Sequence, residues 1–164
     1  LHLILNHIPI VAIPVVLAFL IHSLWTKNFA ARKFAYFALI LAAAAAVPVY
    51  LTGEPAEEIV ERLPGVSEAF IEAHEEAAVV TLALTALAGL AALFGLLAGE
   101  GGLKERLSVV GVFALSVIAL ASLAYTANLG GKIRHTELRG ASSGQVGAEG
   151  KAGETAGEQE SESD

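Results

Sequence analysis

The sequence predicts an all-α fold: an integral membrane four-helix bundle running up and down, with a short amphipathic helix between its second and third spans. The apolar residues are gathered in four blocks, within a chain of 164 residues that is 55% hydrophobic with a mean hydropathy of +0.63. Soluble domains average about 45–50% apolar residues, and a bilayer-crossing helix needs about 20 of them at about 1.5 Å each. Two short turns and one longer polar loop connect the blocks, and small residues recur along them, as close helix packing in lipid requires.

The first span is expected over residues 8–25, with Leu1 to His7 as its lead-in turn. Pro9 suits a first turn, where a missing N–H is no loss, and Pro14 should kink the helix or open it locally. Trp25 falls where an interfacial aromatic belongs. The basic turn TKNFAARK leads to the second span, residues 34–51, with Tyr36 and Tyr50 near its ends and an alanine run from Ala42 to Ala46. Residues 54–63 form the amphipathic helix, with Pro55 and acids in its first turn and Ile59, Val60 and Leu63 as its apolar stripe. Pro64-Gly65 breaks it, and Ser67 is the natural N-cap of a helix from Glu68 through the third span, residues 77–98, with Gly89 and Gly95 as interface positions. The turn GEGGLKER precedes the fourth span, residues 107–128, which carries small residues at Gly111, Ser116, Ala119 and Ser122. Gly130-Gly131 reads as a helix C-terminal turn, and Asn6 and Asn128 as caps or interhelical hydrogen-bonding groups. The chain therefore divides into a membrane domain, residues 1–139, and an acidic tail, 140–164, whose composition is that of a disordered segment.

Four spans place both termini and the middle loop on one side, here called side A, and the two short turns on side B. Side B carries Lys27, Arg32, Lys33, Lys104 and Arg106, whereas side A has Arg62 in the middle loop and Lys132, Arg134 and Arg139 after the fourth span, a narrow margin. The positive-inside rule then makes side B cytoplasmic in a bacterial inner membrane and puts both termini outside. The absence of cysteine excludes disulfides, thiolate zinc sites, c-type haem attachment and cysteine-held iron–sulfur clusters. A net charge of −7 argues against nucleic acid as a partner. With no methionine even at position 1, the numbering is expected to begin after processing or within a longer chain.

The functional signal lies in the five histidines. His2 and His7 precede the first span, His74 precedes the third and His135 follows the fourth, all on side A. His22 lies about 22 Å from His7 along the helix, beside Trp25, and reads as structural. Imidazole is the usual nitrogen ligand for haem iron, zinc, copper and non-haem iron, and helix bundles hold such ligands on facing helices. His7 and His74 are the expected axial pair for a b-type haem or other tetrapyrrole, with Lys132, Arg134 and Arg139 facing its propionates and His2 and His135 as further ligands or hydrogen-bond partners. The competing chemistry is a mononuclear iron, copper or zinc site built from His7, His74, Glu72, Glu75 and Glu76. A di-iron centre of the Glu-x-x-His type is excluded, because the sequence has Glu72-Ala-His74 instead. The bland reading is that interfacial histidines and glutamates are simply solvated.

The blocks LHLILNHIPI, PVYLTGEPAEEIVERLPGVSEAFIEAHEEAA and TANLGGKIRHTELRG resemble those of uncharacterised bacterial four-helix membrane proteins, a domain-of-unknown-function class found joined to or near Rieske and cytochrome proteins. The resemblance covers residues 1–140 and implies a membrane protein in a redox context, with His2, His7, His74, Glu75, Glu76, Arg134 and His135 as motif positions. The chain is also loosely similar to membrane b-type cytochromes. It departs from them in gathering its histidines at one face, so a single site could serve a quinone or a periplasmic carrier without moving electrons across the bilayer. The expectation is thus a non-enzymatic redox or metal-site subunit. The alternatives are a structural or assembly subunit of a larger respiratory or photosynthetic complex and an outward-facing His/Glu metal sensor. Transport is disfavoured, since no charged residue lies midway along a span.

Overall fold

The computed structural model describes residues 2–99 and 101–135; Arg139 and the acidic tail lie outside them. The described residues form six helices and no strand: α1 (His2–Leu5), α2 (His7–Thr26), α3 (Phe29–Leu51), α4 (Gly53–Val60), α5 (Glu68–Leu97) and α6 (Gly102–Arg134). Four of the helical segments are long and apolar enough to cross a membrane. The fold is the expected all-α four-helix bundle. Around its section α2 packs on α3, α3 on α5, α5 on α6 and α6 back on α2, with the α5–α6 seam the most extensive.

Local chemistry explains most boundaries. The lead-in turn becomes the separate helix α1, with the break where Pro9 offers no N–H to the carbonyl of Leu5 and its ring crowds that carbonyl. At Pro14 the helix continues, as bundles in lipid permit. Lys27 ends α2 in the left-handed conformation, with φ 53°. Asn28 then caps α3 by accepting a hydrogen bond from the N–H of Ala31 at 3.0 Å. With that cap in place, most of the expected basic turn is the first turn and a half of α3. Ser67 precedes α5 with extended backbone but without a side-chain cap. Gly99, Gly101 and Gly102 make the second short turn, all with positive φ that a side chain would strain.

Two sequence expectations change. Gly130-Gly131 does not end the last helix, which runs on to Arg134 and closes with the N–H of His135 on the carbonyl of Gly131. Asn6 makes no capping bond, and its buried Oδ1 has no partner. The core is assembled from Ile13, Val16, Leu20, Leu39 and Val112 with the small residues Ala35, Ala88, Ala92 and Ala119. Large apolar side chains such as Phe37, Leu41, Leu90, Leu97 and Val110 face outward, the reverse of a water-soluble protein's surface and the surface that lipid covers. Tyr36, near one end of the second span, is buried with its ring against Gly95.

The α3–α5 contact is close because α5 has no side chain at position 89. A Cβ there would stand 2.6 Å from that of Ala43. Gly89→Ala should therefore destabilise the bundle by about 1–3 kcal/mol through overpacking, and adding Ala43→Gly should restore it. Thermal unfolding in detergent of the wild type, the single variant and the pair checks this. A rise in stability with Gly89→Ala alone would show that the helices can part at no cost.

Candidate functional site

The side A histidines are brought to one end of the bundle by different elements. His74 lies in the second turn of α5, half-buried, and its Nδ1 donates a hydrogen bond to the carbonyl of Thr126 on α6 at 2.9 Å. Its ring rests where a side chain of residue 130 would otherwise be: a Cβ on Gly130 would lie 3.1 Å from His74 Cε1. The glycine that reads as a helix terminator is thus a seat for an imidazole. Below it, the Thr81 hydroxyl meets Ser122 Oγ at 2.7 Å and Thr126 Oγ1 at 2.8 Å, while Thr126 Oγ1 donates to the carbonyl of Ser122 at 3.0 Å. A polar ladder therefore continues the His74 contact into the α5–α6 seam.

His2, on α1, donates through Nδ1 to the carbonyl of Val49 at 3.0 Å, with Thr52 Oγ1 at 3.3 Å, which ties α1 to the end of α3. His7 opens α2, is exposed, and donates through Nδ1 to the carbonyl of Leu3 at 2.7 Å. In all three rings the acceptor is a carbonyl, so Nδ1 carries the proton and, in the neutral ring, Nε2 keeps the lone pair. This is the tautomer that a metal-binding histidine needs when a carbonyl orients it from behind. His135 and Arg134 are exposed at the end of α6, and Glu72, Glu75 and Glu76 are exposed on the first turns of α5.

The histidines share a level without sharing a partner. His74 is fixed to α6, and His7 is bonded to α1 beside its own helix. Among the described residues, no three or more histidine, cysteine, aspartate or glutamate side chains are gathered as a metal would require. One acidic contact does form. Glu57 of α4 lies beside Glu75 of α5, and its carboxyl is pushed up to about 7, first by hydrogen bonding with Glu75, then by burial and by the charges of Glu75, Glu61 and Glu54. Below that value a proton on Glu57 bridges the two carboxyls and links α4 to α5.

Side B holds a feature that the sequence does not announce. Arg32 reaches across from α3 to pair with Glu105 of α6, its side chain 10% exposed, and stacks over Phe29 with 4.8 Å to the ring centre. Glu105 also accepts from the N–H of Gly101, and Tyr36 Oη lies 3.2 Å from Ser108 Oγ nearby. These define an all-α membrane-type bundle with different polar devices at its two ends. Comparison with known protein families, curated proteins and solved structures finds no match for the chain.

Gly130→Ala should displace the His74 ring and lower stability by about 1–3 kcal/mol. The loss should be much smaller in a His74→Ala background, since the clash is with that ring, and additive losses in a double-mutant cycle would refute the seat. The Glu57 contact has its own signature. A carboxyl whose folded value lies above its ordinary 4.5 contributes stability in full below about pH 4.5, lost as pH rises through about 7. Hydrogen exchange of α4 amides, corrected for intrinsic rates, should show protection at pH 5 that falls by pH 8, these two being about the ends of that window. Glu57→Gln, which keeps a donor towards Glu75, should remove most of the fall.

Proposed function

We propose that this chain is a membrane subunit that holds a metal-centred cofactor, a b-type haem foremost, at its side A end through His74 with His7 on the diagonally placed helix. The observation that carries the reading is the hydrogen bond from His74 Nδ1 to the Thr126 carbonyl, which fixes the ring and leaves Nε2 as the ligating nitrogen. His7 and His2 carry the same Nδ1-to-carbonyl arrangement. A donor set of two imidazoles suits haem iron, and the mononuclear iron, copper or zinc alternative would draw on Glu72, Glu75 and Glu76 as well. Such a haem would supply one-electron chemistry. The chain's own part would be to orient the ligands and, through Arg134 and Lys132, to balance carboxylate charge.

In this reading the protein is an electron-transfer or accessory subunit of an inner membrane, with its termini outside. A quinone, a periplasmic carrier or another subunit of a membrane complex would be its partner. A second reading has an observation of its own. The His74–Thr126 bond joins α5 to α6 without any cofactor, as an assembly subunit with a purely structural histidine would use it.

Absorption spectra of the detergent-purified protein, oxidised and dithionite-reduced, with elemental analysis, separate these readings. Haem binding predicts a Soret band and sharpened reduced bands. His74→Ala should remove most of the bound haem while the four-helix bundle stays assembled by circular dichroism. Stoichiometric iron, copper or zinc without a chromophore would support the His/Glu site. Neither signal, after expression with haem and metals supplied, would leave the structural reading.

A further inference from the structure

The His74 bond is one of two polar attachments between α5 and α6, and the second governs the geometry of the first. Thr81 follows His74 by two turns of α5, about 10 Å along its axis, and Ser122, Thr126 and Gly130 succeed one another at four-residue spacing on one face of α6. A hydroxyl has one proton to give, so the contacts among the three hydroxyls run in a single direction. Thr126 Oγ1 gives its proton to the carbonyl of Ser122 and therefore accepts from Thr81. Thr81 has then given its own proton and accepts from Ser122 Oγ. The chain of bonds crosses from α6 to α5 and back, and it ends on α6 one turn from the carbonyl that His74 meets. That carbonyl is itself made available. Within the helix the Thr126 oxygen accepts from the N–H of Gly130, which leaves it a second lone pair, and the absent side chain of Gly130 keeps the approach open.

We propose that Thr81 is the positioning residue of the side A site: its hydroxyl bond to Thr126 holds α5 and α6 in the register at which the Thr126 carbonyl meets His74 Nδ1, and so keeps the proton of the neutral ring off Nε2. In lipid no apolar driving force sets how far one helix slides along another, and polar pairs do so instead. A single hydrogen bond leaves α6 free to turn about it, whereas two attachments a pair of turns apart fix both slide and rotation. Thr81 and Thr126 are buried, so the bond between them is shielded from competing partners. The consequence for a cofactor rests on the reading of His74 as its ligand, but the orientation of the ring does not.

Nitrogen NMR of the full chain in detergent, with isotopically labelled histidine and at about pH 9, above the ordinary histidine range, tests it. The His74 signals are the pair that His74→Ala removes. In the wild type Nδ1 should carry the proton and Nε2 the lone pair. Thr81→Val keeps the shape and removes the hydroxyl, and should raise the proton occupancy of Nε2 about three-fold, the effect of one interhelical hydrogen bond in lipid. Thr81→Ser should restore the wild-type pattern. Thr85→Val removes a buried hydroxyl one turn deeper on α5, outside the chain of bonds, and should leave the ring unmoved. Unchanged His74 signals in Thr81→Val, or an equal change from Thr85→Val, would overturn the role of Thr81. Should Thr81→Val fail to assemble, Thr126→Val breaks the same bond from its other side, and an unmoved ring there would overturn the proposal as well. Haem titration of the same samples separates this from the cofactor reading: a wild type that binds no haem while Thr81→Val shifts the ring supports Thr81 as the positioning residue and removes the ligand role of His74.

Discussion

The architecture depends on how closely α5 can approach its two neighbours. Within lipid there is no hydrophobic gain in moving an apolar helix from acyl chains onto another helix, so association rests on packing and on interhelical polar contacts. Helix α5 meets both requirements along its length. Gly89 lets it lie against Ala43, Gly95 accommodates the Tyr36 ring, and Thr81 shares its hydroxyl with Ser122 and Thr126. His74 extends the same seam to the A end, on a glycine of α6. Missing side chains and short polar ones do together what a large apolar core does in water.

The two ends then divide the polar work. At side A, imidazoles bond to carbonyls at helix ends, which leaves a second ring nitrogen available at each. At side B, a buried arginine bridges the start of α3 and the start of α6 beside a small cleft. One end is built on bonds from imidazoles to carbonyls and the other on an ion pair between two helices.

The helices were legible because hydropathy alone marks a segment of sufficient length, and the level of each histidine follows from its distance to the nearest apolar block. What each polar residue meets was not legible, since that depends on helix rotation and on contacts between distant positions. Arg32 sits in a run that reads as a solvated basic turn, yet the Asn28 cap starts the helix early and turns Arg32 inward. Gly130 shows the same limit. A glycine pair near a helix end fits a terminator as well as a packing seat, and only the His74 ring distinguishes them. Tyr36 reads only as an aromatic near a span end, and its burial follows from Gly95 and Ser108 on two other helices.

The Arg32–Glu105 pair also constrains the making of the protein. Its members lie 73 positions apart, so the guanidinium reaches the membrane with the second span and meets its carboxylate only when the fourth arrives. Until then the first hairpin holds an uncompensated charge at its edge, where full burial would be costly. The last helix to enter is therefore the one that neutralises a group from the first half, and a chain halted after three spans would keep an open, charged flank.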